Sequence, residues 1–293
     1  MKKLLAIWQL MRLEHGIMIA VAILIGTLVA TQQLPTLQVF IFTFFTALFL
    51  EASTFALNDY LDRDIDKRNK RTDRPLVRGD ISPQTALFLF AVLFPLGIVS
   101  SFFVNTTCFL IALITACFAV VYDMVLKKIK LLGNFFIAYT MAIPFVFGGV
   151  AMQHSSDLSL TVSPTILVLA AIAFCAGSGR EIMKDVQDFK GDQEKGVRSF
   201  PKYIGEKASN VLAGILYLLA IGLSFFPYSL PVFTVFYQNN MYLLSVFLAD
   251  VVFLTAALHL FFSKKPNLSM YRKYTLFGLM LGLLAFLIGA FMG

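Results

Sequence analysis

Charge is what this sequence has least of. Only 14% of its 293 residues are Asp, Glu, Lys or Arg, while 58% are hydrophobic; a soluble domain carries roughly a quarter charged residues. With a mean hydropathy of +0.79, that shortage excludes an ordinary water-soluble globule. Cysteine is scarce as well. Cys108, Cys117 and Cys175 stand apart, each inside an apolar run; they fit neither a disulfide framework nor a metal spacing, and read as small hydrophobes. The three histidines, His15, His154 and His259, are likewise not spaced as metal ligands. No linker rich in Gly, Pro or Ser divides the sequence, so residues 1–293 are expected to form one domain.

Long apolar runs are abundant. Several approach the roughly 20 residues that cross a bilayer core, and nine spans are predicted, near 17–31, 37–58, 84–103, 106–124, 132–151, 163–183, 208–227, 241–262 and 273–292. A tenth stretch, 229–237, contains Pro231 and is too short to span, so a packed loop is expected there. Lys2 and Lys3 before an apolar stretch look like the start of a signal peptide. However, Gln9, Arg12, Glu14 and His15 interrupt the run, and no clean cleavage site follows. Residues 1–14 are instead predicted to hold an amphipathic interfacial helix anchored by Trp8. The predicted fold is all-α: a single polytopic bundle of nine transmembrane helices with cytoplasmic cap loops.

The basic residues test this count. With the N-terminus in the cytoplasm, the inside segments are the N-terminal arm, 59–83, 125–131, 180–207 and 263–273. They hold 3, 7, 3, 7 and 4 Lys and Arg residues, which accounts for all 24 in the chain. The positive-inside rule then places the chain in the cell membrane with its C-terminus outside. The net charge of +7 and pI near 9.3 reflect this loop bias together with a site for phosphorylated ligands. They do not point to nucleic acid, and no protein partner is implied.

Two acidic motifs carry the chemistry. The second span runs into Asn58-Asp59-Tyr60-Leu61-Asp62-Arg63-Asp64-Ile65-Asp66. The sixth runs into Asp185-Val186-Gln187-Asp188-Phe189-Lys190-Gly191-Asp192. Both read D-x-x-D-x-x-x-D, and on a helix residues i, i+3 and i+7 share a face. Asp59, Asp62 and Asp66 therefore form one stripe and Asp185, Asp188 and Asp192 another, while Asp64 points away. Corresponding aspartates are 126 residues apart with four spans between them, so both motifs should emerge on the cytoplasmic side. Facing carboxylate stripes repel without a counter-charge. Mg²⁺, which binds hard oxygens and keeps positions for water and phosphate, supplies it, and a diphosphate bridging the stripes is the natural occupant. Two ions are expected.

Cationic side chains follow both stripes. Lys67, Arg68, Lys70, Arg71, Arg74 and Arg78 come after the first; Arg180, Lys184, Lys190, Lys195, Arg198 and Lys202 surround the second. Arg71, Arg74 and Lys127 are the candidates for diphosphate contact. Arg180 and Lys184 share a helical face, as do Lys184 and Asp188; for Glu181, structural pairing and catalysis stand level. Glu51 lies two turns before Asn58 on the same face, and His15, near Arg12, is within reach of the site. Asp250 is a lone acid within the eighth span; such residues are functional candidates by default, but no partner is legible and it is left outside the site. Thirty-one phenylalanines and ten tyrosines permit an apolar isoprenoid slot without diagnosing one. Tyr122 stands out at the end of the fourth span, just before Lys127 and Lys128.

Asn58-Asp59-x-x-Asp62-x-x-x-Asp66, followed by Arg74-Pro75 and Gly79-x-Ile81-Ser82, closely resembles the first signature of the UbiA superfamily of intramembrane prenyltransferases. Asp185-x-x-Asp188-x-x-x-Asp192 resembles the second, and Tyr122, Lys127 and Gly133-Asn134 look like the family's stretch between spans four and five. The resemblance covers essentially the whole chain. It implies Mg²⁺-dependent prenyl transfer in a cavity open sideways to lipid. The six stripe aspartates would hold metal, and Asn58, Arg71, Arg74, Tyr122 and Lys127 the diphosphate. Acceptor or supporting positions fall to Arg12, His15, Glu51, Asn134, Arg180, Glu181 and Lys184, and no residue is assigned as catalytic base. Gly179-Arg180-Glu181-Ile182-x-Lys184 and Gly196-x-x-Ser199-x-Pro201 are most similar to the branch that builds the second ether bond of archaeal membrane lipids. That branch implies geranylgeranyl diphosphate as donor and a lipid-like phosphorylated acceptor, geranylgeranylglyceryl phosphate. One departure is Arg12-Leu13, where family members often have Arg-Pro. Two rival readings are prenyl transfer to an aromatic acceptor and, from another class, ion or phosphate transport.

Overall fold

The computed structural model describes residues 2–68, 70–153, 162–194 and 196–292; His154 and Lys195 lie outside them. Among the described residues twelve α-helices follow one another: α1 Lys2–Met11, α2 Leu13–Thr31, α3 Leu37–Arg68, α4 Pro75–Arg78, α5 Pro83–Phe102, α6 Thr106–Met124, α7 Lys130–Ala151, α8 Pro164–Glu194, α9 Phe200–Ser224, α10 Phe226–Ser229, α11 Asn240–Phe262 and α12 Leu268–Met292. Nine helical segments among the described residues are long and apolar enough to span a bilayer, α9 and α10 counting as one. They coincide with the nine predicted spans. Helices suit lipid because every backbone group is satisfied within the segment. Large apolar side chains stay on the outside, among them Phe88, Leu244 and Phe262. The expected short loop is found as well. Residues 230–239 turn rather than span, and Phe233, Val235 and Phe236 are buried in it.

The helix starts follow local chemistry. Ser82 caps α5 by accepting from the Thr85 amide at 3.1 Å, with Pro83 in the first turn. Asn105 caps α6 by accepting from the Cys108 amide at 2.7 Å. Each such cap contributes about 1 kcal/mol. The two motif helices differ from their neighbours in length: α3 runs to residue 68 rather than 58, and α8 to 194 rather than 183. Both acidic motifs thus continue a spanning helix past its apolar part, which keeps the i, i+3, i+7 register intact.

The chain divides into two compact units. The first comprises Met1–Leu24, Pro35–Val125 and Val150–Leu160; the second comprises Ile25–Leu34, Leu126–Gly149 and Thr161–Gly293. In the first unit α3 packs along α5, and α1 lies against α3 and α4. Ala6 and Leu10 of α1 are buried with Ala56, Leu76, Ile81 and Ala86, leaving Leu4, Leu5 and Trp8 exposed. This one-sided burial matches an amphipathic N-terminal helix. In the second unit α8 packs along α9, and α11 along α12. Small residues set its closest approaches: a Cβ on Gly26 would lie 2.2 Å from the Phe145 carbonyl oxygen, and one on Gly179 2.9 Å from the Tyr217 ring.

Candidate active site

In the first unit the site is assembled around Asp59. This residue is buried in α3, and two guanidinium groups converge on its Oδ1. Arg12 donates at 3.0 Å and Arg74 at 2.9 Å. Arg12 occupies the break between α1 and α2 with φ +46°, and its guanidinium lies 4.0 Å over the Phe55 ring. It is also within electrostatic reach of Glu51. Residues 51, 55 and 59 share a face of α3, so one arginine reads that whole stripe. His15 stands edge-on to Phe55 at 5.5 Å. Arg74, the residue before α4, also brings its Nε to 3.7 Å from Asp66 Oδ2. Asn58 approaches Asp59 Oδ1 at the hydrogen-bond limit of 3.5 Å. Asp62 is half-buried on the same face and Asp64 is exposed, as the helical spacing predicts.

Arg71 is turned elsewhere: it forks onto Asp73 at 2.9 and 2.8 Å. That hydrogen-bonded pair holds the Asp73 carboxyl below its ordinary range and raises Arg71 further. Tyr122 sits half-buried in the last turn of α6.

In the second unit the centre is a lysine that sequence reasoning missed. Lys130 Nζ lies 2.5 Å from Asp192 Oδ2 and 3.3 Å from Asp185 Oδ1. Asn134, one turn further along α7, donates to Asp185 Oδ2 at 2.7 Å. A backbone staple fixes this arrangement. Residues 126–128 form a 3-10 turn, after which Ile129 and Arg198 make a parallel bridge. The Arg198 amide donates to the Lys128 carbonyl at 3.1 Å, and the Leu131 amide to the Arg198 carbonyl at 3.3 Å. The start of α7 is thereby tied to the loop after α8, which sets Lys130 over the carboxylates. The available signal was the Lys130/Asn134 spacing of i, i+4, masked because residue 130 reads as one more inside loop cation. Lys127 is half-buried in the 3-10 turn and Asp188 half-buried on α8.

One turn before Asp185, Glu181 is buried and clasped from its own helix. Arg180 donates to Oε1 at 3.1 Å and Lys184 to Oε2 at 3.0 Å. Of the two readings for Glu181, the geometry supplies the paired one. Asp250 also has a partner: Ser224 Oγ lies 2.7 Å from its Oδ2, and the Tyr242 hydroxyl donates to the Ser224 carbonyl at 2.7 Å.

The donor set suits a hard divalent cation. Among the described residues no three metal-ligating side chains converge into a ready cluster. Mg²⁺ does not require one, since it binds through one or two carboxylates and fills its octahedron with water and phosphate oxygens. Asp59 Oδ2 is buried without a hydrogen-bond partner, the sort of atom that needs an explanation in a bound ion or solvent. Asp66 lies close enough to share Arg74 with Asp59.

Comparison with known proteins agrees with this arrangement. The UbiA prenyltransferase family model matches residues 19–278. A digeranylgeranylglyceryl phosphate synthase from Archaeoglobus fulgidus is 39% identical over 98% of this chain and 95% of its own. A solved structure described as digeranylgeranylglyceryl phosphate synthase has a TM-score of 0.78 and 33% identity, with 99% of each chain covered. A UbiA homologue from Archaeoglobus fulgidus bound to DMAPP and Mg²⁺ has a TM-score of 0.60 at 17% identity, with 96% of this chain and 99% of that one covered, a likeness of fold. The chain, with its paired acidic motifs and nine long apolar helices among the described residues, belongs to the UbiA prenyltransferase family and is an integral membrane prenyltransferase.

Proposed function

We propose that this prenyltransferase moves a geranylgeranyl group from geranylgeranyl diphosphate to the free hydroxyl of geranylgeranylglyceryl phosphate, forming the second ether bond of an archaeal-type lipid. The observation that carries the reading is the similarity over nearly the full length to a relative bearing that synthase's name. The carboxylate-and-cation arrays at the ends of α3 and α8 add chemical support. The whole chain acts as one catalytic domain, and the family match runs through both units. The N-terminus and motif loops face the cytoplasm and the C-terminus is outside, a reading supported by the distribution of Lys and Arg, and α1 lies in the interface, a reading supported by its one-sided burial.

Asp59, Asp62 and Asp66 form one group of metal ligands, and Asp185, Asp188 and Asp192 the other, one Mg²⁺ to each. When bound, Mg²⁺ neutralises the leaving diphosphate and weakens its bond to the allylic carbon. Asn58, Arg71, Arg74, Tyr122 and Lys127 hold the diphosphate through charged and polar hydrogen bonds. Arg12 and Lys130 keep the buried carboxylates oriented, since an unpaired buried charge is costly. In the reaction the acceptor's hydroxyl oxygen bonds to the allylic carbon. The carbon–oxygen bond to diphosphate breaks, its electron pair leaves with diphosphate, and the hydroxyl proton passes to an acidic side chain or to the departing diphosphate.

The deciding experiment offers purified protein labelled geranylgeranyl diphosphate and Mg²⁺, with either geranylgeranylglyceryl phosphate or a panel of aromatic acids. A diether phosphate is expected, absent in EDTA. A prenylated aromatic ring would move the acceptor to the quinone type. Ion or phosphate flux in sealed vesicles without any prenyl product would overturn the enzymatic reading.

A further inference from the structure

The second unit holds more positive charge beside Glu181 than Glu181 can neutralise. Arg180 and Lys184 already occupy its two oxygens, and Arg272 of α12 lies within electrostatic reach. Two cations thus pair directly with one buried carboxylate, and a third lies within electrostatic reach of it. Arg180 Nε is itself buried with no hydrogen-bond partner, and Arg272 is half-buried. Gly179 lets α9 approach closely just before Arg180, with the Ala213 carbonyl oxygen 3.0 Å from where a Cβ would stand. Cations cost several kcal/mol to bury and are retained where something anionic completes the pairing. Glu181 fixes Arg180 and Lys184 and, with one negative charge against three positive ones, leaves positive charge in excess.

We infer that Arg180, Lys184 and Arg272, held in place by Glu181, form the binding site for the phosphate of the acceptor. This rests on the reading above and deepens it. Glu181 precedes Asp185 by one helical turn on the same face, an axial rise of about 6 Å. In a glycerol phosphate the free hydroxyl and the phosphate are carried on a three-carbon unit and lie within about 6 Å of each other by ordinary bond lengths. An acceptor phosphate on the Arg180 cluster therefore places the reacting hydroxyl near the level of Asp185, one of the proposed metal ligands. Arginine forks and a lysine point charge together match a phosphate monoester, so the cluster selects phosphorylated over unphosphorylated acceptors. These three cations are positioning residues and take no part in bond breaking.

The test is Arg272→Gln, compared with wild type on geranylgeranylglyceryl phosphate and on geranylgeranylglycerol, which lacks the phosphate. The expected result is an acceptor KM about tenfold to a hundredfold higher for the phosphorylated compound, the range for one lost charged hydrogen bond. The donor KM should stay within about twofold, and the preference for the phosphorylated acceptor should collapse. Binding of the labelled phosphorylated acceptor in EDTA should weaken by the same factor, and Arg272→Lys should recover part of it. Equal damage with both acceptors, or a raised donor KM instead, would overturn the assignment while leaving the reaction intact. If wild type makes no diether phosphate at all, the reading of the reaction itself fails and the phosphate site falls with it. Should Arg272→Gln fail to bind donor, Lys184→Gln is judged by the same criteria.

Discussion

Lys130→Met removes a cation that touches both Asp185 and Asp192, and its consequence can be worked from the geometry. The lysine is 21% exposed, Asp185 2% and Asp192 15%, so the pair is largely screened from water. A hydrogen bond to a charged group contributes about 1.5–3 kcal/mol. Here one close contact and one longer one are lost, but Asn134 still satisfies Asp185 Oδ2. A net cost of about 2 kcal/mol follows, or ~4–8 °C in Tm, with two carboxylates left facing each other uncompensated. Thermal unfolding of purified protein in detergent, with EDTA and again with excess Mg²⁺, reads this directly. The Tm deficit should be full in EDTA and should shrink by more than half in Mg²⁺, because a divalent ion restores the missing charge and stabilises whichever state binds it. An equal deficit in both buffers would refute metal binding at Asp185 and Asp192. No deficit in EDTA would refute the energetic reading of the Lys130 contacts. Lys130→Arg should behave like wild type in stability.

Asp62→Ala and Asp188→Ala should each leave a folded protein with turnover down about a hundredfold or more; near-normal turnover in either would sink the metal assignment for that stripe. Removing divalent metal with EDTA should abolish turnover reversibly, Mg²⁺ restoring it. Arg71→Ala should raise the donor KM about tenfold, whereas Asp73→Ala should not raise it, since Asp73 only occupies the arginine fork; donor titrations distinguish the two. Gly26→Ala should destabilise by about 1–3 kcal/mol because the new methyl meets the Phe145 carbonyl, a backbone atom that cannot swing aside. Gly222→Ala, in open space within α9, should be neutral or slightly stabilising, as melting curves would record.

Much of the fold was legible because a bilayer imposes a simple rule. A segment that crosses must be long, apolar and helical, so nine runs in the sequence became nine apolar helices among the described residues. The acidic stripes were legible for a similar reason: helix periodicity alone puts Asp59, Asp62 and Asp66 on one face and leaves Asp64 outside. Arg12 and Arg74 were marked as candidates, but their convergence on a single oxygen of Asp59 was not readable. It depends on the left-handed backbone at Arg12 and on the turn that returns Arg74 to α3. Lys130 was missed because, by composition, it is one of 24 basic residues serving orientation. Arg272 was hidden for the same reason, its meaning lying in the packing of α12 beside α8.

By itself, then, the sequence determined what periodicity and hydropathy govern: membrane helices, their number, and which carboxylates line up along α3 and α8. Tertiary structure alone decided which cation answers which carboxylate. Such pairing joins residues 47 or 62 positions apart, and it is set by loop geometry and helix packing, which no local spacing encodes.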